Sequence, residues 1–259
     1  MSFLLIFFLL SSLVYWAAFL SIERFFKTQP LLVKENSAGK MANLAVSSIH
    51  ASVCVIGWLH TAMISCYIPG ESFLTNELCY NYTSPGMQLF LMFSLSYFVS
   101  DLYCSYVVFG RGAFRDTCIH HCISFTGTLS TLILGRYVGV VSMNLLFSEI
   151  STVFLNFVFI TKGLDAEEYN KVQTNINSLC LLVLFCLVRI FWLISFLCYQ
   201  ILPVMFRYDY DQAFEAMGSF KPIWMVLLVI LYIILCIMNT IWFFKLYAGY
   251  KKLRIKLNI

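Results

Sequence analysis

The chain has 259 residues, of which 61% are hydrophobic, 17% aromatic and only 12% charged. A soluble domain carries roughly 25% charged residues, and at this ratio a globule could not cover its surface with polar groups. Mean hydropathy is +0.83 and the pI is near 8.5. Composition therefore excludes a soluble enzyme, a disordered protein and a nucleic-acid-binding module, and predicts an all-α, polytopic transmembrane helical bundle. The net charge of +4 is modest, and its placement matters more than its sum.

A helix needs about 20 predominantly apolar residues to cross a bilayer. Apolar windows separated by polar loops predict about seven spans, at residues 3–22, 43–66, 87–109, 118–135, 138–161, 176–203 and 222–246. The first has no basic segment before it and no clear small-residue cleavage site, so it reads as a retained span rather than a signal peptide. The fourth is the weakest, being short and rich in Ser, Thr and Gly. The runs are long and continuous, which argues against alternating barrel strands. Three segments follow from this pattern: a first span with its loop at 1–39, a membrane domain at 40–246 and a basic tail at 247–259.

Basic residues predict the orientation. Arg24, Lys27, Lys34 and Lys40 follow the first span, Arg111 and Arg115 the third, and Lys162 and Lys171 the fifth. The tail carries Lys251, Lys252, Arg254 and Lys256, whereas the alternate loops hold only Arg136, Arg207 and Lys221. The richer loops face the cytosol, so the N-terminus is expected on the luminal side and the tail in the cytosol. The chain's N-x-S/T sequon, Asn81-Tyr82-Thr83, falls in the loop without basic residues and marks Asn81 as the expected glycosylation site. Cys66 and Cys79 flank the same loop, either as a disulfide or as two thiols.

Ionisable and amide groups at bilayer depth are costly and point to function. With a helical rise of about 1.5 Å per residue, His50 and Asp101 fall about 10–12 Å from the cytosolic face, and His120 and His121 open the fourth span. Asn156 and Asn239 lie in the cytosolic halves of their spans, while Glu149 and Arg189 lie near mid-membrane. This asymmetry predicts a polar cavity open to the cytosol, lined by His50, Glu149, Asn156, Arg189 and Asn239. Bland readings stand beside it. Glu149 and Arg189 suit a neutralising structural pair, the asparagines suit interhelical hydrogen bonds, His50 suits a neutral core histidine, and Lys245 suits snorkelling to the interface. Adjacent helical residues diverge by about 100°, so His120 and His121 would face different neighbours. Cys118, His121 and Cys122 are close in sequence but do not share one ligand face, and no metal site is expected.

Several short stretches resemble one family: VSSIH at 46–50, YFVSD at 97–101, HHC at 120–122, SEIST at 148–152 with FLN at 154–156, VR at 188–189 and MNTIW at 238–242. In this order and spacing, from about residue 40 to 245, they resemble the TLC domain, the membrane domain shared by ceramide synthases and several smaller proteins. The closest form is the small TLC domain-containing proteins of the protein 4 type. The resemblance implies lipid-centred work in the membrane, with membrane lipids as partners, residence in the endoplasmic reticulum ahead of the plasma membrane, and no bound cofactor. Ceramide synthases transfer an acyl group from acyl-CoA to a sphingoid amine, using adjacent histidines and two later aspartates. His120 and His121 match the histidines, while Glu149 and Thr152 stand where the aspartates would fall. Regulation of membrane lipid composition is thus the first expectation. The alternative is an acyl-CoA-dependent acyltransferase with His120, His121 and Asp101 as catalytic groups and acyl-CoA as co-substrate.

Overall fold

A computed structural model describes residues 2–29, 37–66, 83–134, 139–163, 167–203 and 221–257. All secondary structure among them is helical. In hydrocarbon every backbone N–H and C=O must be satisfied within the segment, and a helix does this without help from neighbours. The helices are α1 (Ser2–Lys27), α2 (Ala38–His60), α3 (Pro85–Leu134), α4 (Gly139–Phe147), α5 (Ile150–Gly163), α6 (Glu167–Leu184), α7 (Trp192–Phe196) and α8 (Lys221–Leu257). Short π-helical segments extend α2 at Thr61–Ser65 and flank α7 at Phe185–Phe191 and Leu197–Ile201.

Six helical stretches are long and apolar enough to cross a membrane: Phe3–Lys27, Ala38–Ser65, Pro85–Val108, Gly139–Thr161, Asn175–Ile201 and Val226–Ile255. The fourth predicted span, 118–135, is not among them. Its described part is instead the second arm of α3. A straight helix would separate residues 98 and 121 by about 34 Å, yet the rings of Phe98 and His121 lie 5.4 Å apart. The chain therefore doubles back between them, and the second arm returns along the first. Its hydroxyls are absorbed locally: Thr126 donates to the Cys122 carbonyl (2.8 Å), Ser130 to Thr126 (2.6 Å) and Thr131 to Gly127 (2.9 Å). Such back-bonding lets a polar sequence lie among apolar neighbours. The Thr131 and Ser142 hydroxyls then meet at 2.5 Å and tie this arm to α4.

The core gathers where α1, α2 and α3 meet. Tyr15 of α1 packs on Phe93 (4.8 Å between ring centroids) and Tyr97 (5.4 Å) of α3. Farther along α2, Trp58 stacks on Phe147 at 4.3 Å, and its indole N–H donates to Asn144 Oδ1 at 3.1 Å. Trp192 closes this group against Phe147 at 5.7 Å. The Tyr232 hydroxyl donates to the Leu193 carbonyl at 3.0 Å, fastening α8 between the two π-helical segments. Large apolar residues on the outer surface, such as Ile133 and Phe244, face outward as lipid-exposed side chains do. The helix α4 ends at Phe147, and α5 begins at Ile150. Between them the amides of Ser148 and Glu149 bond three residues back, to Leu145 (3.1 Å) and Leu146 (3.0 Å). This tightened turn places Glu149 at a break in the span.

Cys66 is disulfide-bonded; Cys79 and the sequon residue Asn81 lie outside the described residues.

The helices α2 and α3 approach closely at Gly57, where an added Cβ would stand 2.7 Å from Phe90 Cγ and 3.1 Å from Phe90 Cβ. A Cβ at Gly127 would meet nothing within 4 Å. Gly57→Ala is expected to cost about 1–3 kcal/mol through overpacking, and Gly127→Ala to be neutral. Thermal unfolding of both variants in detergent checks this; equal melting would refute the close approach at Gly57.

Candidate functional site

A cavity of about 590 Å³ lies between α2, both arms of α3, the α4–α5 turn, α5, the π-helical segment Phe185–Phe191 and α8. Asp101, His120, His121, Glu149, Asn156 and Arg189 line it, together with apolar side chains including Leu44, Leu155 and Phe159. It lies within the roughly 300–1,000 Å³ typical of small-molecule pockets.

Arg189 organises one wall. It is 5% exposed and sits in the π-helical segment Phe185–Phe191, a distortion often found at functional sites. Its Nη2 stands 3.0 Å from Glu149 Oε1 and donates to Thr152 Oγ1 at 2.8 Å, while Nε donates to Ser151 Oγ at 2.8 Å. Thr152 Oγ1 in turn donates a hydrogen bond to Glu149 Oε2 at 2.6 Å. The hydroxyl thus accepts from the cation and donates to the anion. It can fill the place of a second carboxylate without adding a second negative charge. The pairing of Glu149 with Arg189 and the cavity position are both present, so the two sequence readings of these residues describe one arrangement.

The opposite wall is built on Asp101, which accepts from Asn43 Nδ2 at 3.2 Å (Oδ1) and from Ser105 Oγ at 3.2 Å (Oδ2). Between the carboxylates stand the adjacent histidines. His121 Nδ1 lies 3.5 Å from Asp101 Oδ2, and His120 Nε2 lies 3.7 Å from Glu149 Oε1. The helical divergence of neighbouring residues sends the two rings to different walls, each toward its own carboxylate. Nδ1 of both rings is buried without a hydrogen bond, although His121 Nδ1 is in ionic reach of Asp101. Trp242 of α8 packs edge-on against His120 at 5.5 Å between ring centroids.

Two residues expected on the wall are not there. His50 is 1% exposed and lies outside the cavity lining. It stacks on Tyr97 at 3.8 Å between centroids, and its Nε2 sits 3.2 Å from Cys54 Sγ. Tyr97, not His50, reaches the cavity. Asn239 is 0% exposed and also off the wall, with neither side-chain polar atom hydrogen-bonded. Asn156 does line the cavity and donates to Ser48 Oγ at 3.2 Å. Lys245, read from sequence as reaching for the interface, lines the cavity while remaining exposed.

Sequence reasoning missed Asn43, Ser105 and Ser151. Asn43 shares a face of α2 with Ser47, one turn on, and Ser105 lies one turn beyond Asp101. Polar residues at helical spacing were the available signal.

Six apolar helices around a polar cavity define an integral, multi-pass membrane protein. The TLC domain family pattern matches residues 40–248. The chain belongs to that family, whose members are membrane proteins related to lipid. Comparison with curated proteins gives no match, and comparison with solved structures gives none.

Removing Arg189 leaves Glu149 buried with a hydroxyl and a histidine as its only named partners. Arg189→Leu is expected to cost about 3–5 kcal/mol. Lys245→Leu should melt near the parent, and adding Glu149→Gln to Arg189→Leu should recover part of the loss. Melting curves of the three variants test this; equal behaviour of Arg189→Leu and Lys245→Leu would contradict the anchoring role.

Proposed function

We infer that the protein handles membrane lipid within this cavity and thereby regulates membrane lipid composition. The observation that carries the reading is a cavity with apolar walls and convergent polar groups: a lipid's chains have Leu44, Leu155 and Phe159 to lie against, and its polar end meets the histidine–carboxylate wall. Membrane lipids are the partners on this reading. The charge bias supports a luminal N-terminus and a cytosolic tail, and family membership favours the endoplasmic reticulum.

One feature favours acyl transfer as a second reading. His120 faces Glu149 through Nε2 and keeps an unbonded Nδ1, while His121 faces Asp101 through Nδ1. Imidazole is a common general base in acyl transfer. It would take the proton from an attacking amine or hydroxyl as that group adds to the acyl-CoA carbonyl and CoA thiolate leaves. Asp101 or Glu149 would hold the ring. Mass spectrometry of the detergent-purified protein separates the readings. Co-purified phospholipid supports lipid handling, and co-purified acyl-CoA or CoA supports the enzyme.

Substitution of the histidines should remove lipid-dependent function on either reading. His121 is buried against Phe98 and Tyr97 (5.4 and 5.7 Å between ring centroids), so the size-conserving His121→Asn is preferred to alanine. His120→Ala and His121→Asn are expected to insert and melt near the parent yet lose the shift in cellular phospholipid composition produced by expressing it. Full retention of that shift in the double variant would refute a role for the pair. For orientation, a C-terminal tag should be digested by protease in intact microsomes and Asn81 should carry glycan; a protected tag would reverse the assignment.

A further inference from the structure

The rings on the cavity wall form a continuous belt. Tyr97, Phe98, His120, His121 and Trp242 all line the cavity. Their centroids follow one another at 5.9 Å from Tyr97 to Phe98, 5.4 Å from Phe98 to His121, and 5.5 Å from His121 to His120. A last step of 5.5 Å joins His120 to Trp242. The successive planes meet at 62°, 63°, 55° and 67°, so no ring covers the face of the next. Rings inclined in this way wall a concave space. A ring face is the negative end of the aromatic quadrupole, and it attracts a cation within about 6 Å of the centroid. The first arm of α3, its second arm and α8 each supply part of the belt.

Charge beside the belt also favours a cation. Asp101 faces His121 at 3.5 Å and Glu149 faces His120 at 3.7 Å, and Arg189 is the one guanidinium among the described lining residues. The lining lysines, Lys40 and Lys245, are exposed, where solvent and salt screen a charge more than they do inside. Hydrogen bonding then decides which cation fits. Each carboxylate oxygen already receives a donor from the protein: Asn43 and Ser105 on Asp101, and Arg189 and Thr152 on Glu149. A primary ammonium brings three N–H donors that need acceptors, and it finds these taken. A quaternary ammonium brings none and needs only ring faces and a negative field.

We propose that the belt of Tyr97, Phe98, His120, His121 and Trp242 is a recognition site for the quaternary ammonium of a choline phospholipid. This rests on the lipid-handling reading and narrows its ligand class: a trimethylammonium head group is selected over a primary ammonium on the same phosphate and chains. Trp242 contributes the largest ring, and Asp101 and Glu149 supply the negative field behind the belt. Phosphatidylcholine and sphingomyelin carry the same head group and are its two sources.

The test uses the purified full-length chain in a maltoside detergent, with binding read by native mass spectrometry. It is titrated with dioleoyl phosphatidylethanolamine, its N-methyl and N,N-dimethyl forms, and dioleoyl phosphatidylcholine, which differ only in methyl groups on nitrogen. Affinity should rise along this series, with phosphatidylcholine about tenfold tighter than phosphatidylethanolamine. Oleoyl sphingomyelin should match phosphatidylcholine; binding no tighter than phosphatidylethanolamine would overturn a head-group site. Trp242→Leu should flatten the series, and Trp242→Phe, which keeps a ring face, should retain its order. Trp224→Leu removes an exposed ring from the same helix and should leave the series unchanged. A full series in Trp242→Leu would overturn the placement on the belt. Tightest binding of phosphatidylethanolamine would overturn the quaternary ammonium in favour of a hydrogen-bonded amine. Equal binding across the series would overturn head-group recognition while leaving lipid handling intact, and no binding of any lipid would overturn lipid handling itself.

Discussion

A guanidinium placed near the middle of a bilayer is tolerated only if its charge is met inside the protein. Arg189 is met by Glu149, Ser151 and Thr152, all at the break between α4 and α5. This one requirement explains several features together. It draws the π-helical segment toward the α4–α5 turn, it fixes the carboxylate beside His120, and it keeps the centre of the bundle polar. A charged side chain at a helix centre costs roughly 2.5–3.5 kcal/mol on insertion scales. An ion pair buried there is seldom a source of net stability compared with apolar packing. Its retention is better understood as the means of holding a polar cavity open.

The second wall repeats the logic at smaller scale. Asp101 is held by Asn43 and Ser105, so its carboxylate is oriented before any ligand arrives. The doubling back of α3 brings His120 and His121 between the two carboxylates. Adjacent residues on a helix cannot face the same direction, and here that constraint assigns each ring its own partner. Preorganised polar groups of this kind recognise a head group or manage a proton. Which of these occurs depends on the ligand, and the apolar wall beside them fits a chain in either case.

Much of the bundle was legible in the sequence because span length and hydropathy are local properties. That Asp101, Glu149 and Arg189 gather at one cavity followed from their places along the spans. The errors concern direction. His50 faces Tyr97 instead of the cavity, and its stacking on that ring could not be read from position along α2. Asn239 likewise is buried away from the cavity wall. The stretch 118–135 was expected to be one of seven spans; its described part is the second arm of a bent helix that returns along the first, packed through hydroxyl contacts. The partners Asn43 and Ser105 were missed because uncharged polar residues are common in membrane helices, and only the tertiary fold shows which of them meet a carboxylate.

The central claim is that lipid occupies the space between the two histidine–carboxylate walls. Photocrosslinking with a diazirine-bearing phospholipid in reconstituted vesicles, followed by peptide mapping, tests it most directly. The account predicts labelling of Leu155, Phe159 and Trp242, which face the cavity, and loss of that label when Leu155→Trp fills the space. Labelling confined to outward-facing residues such as Ile133 and Phe244, unchanged by Leu155→Trp, would contradict it.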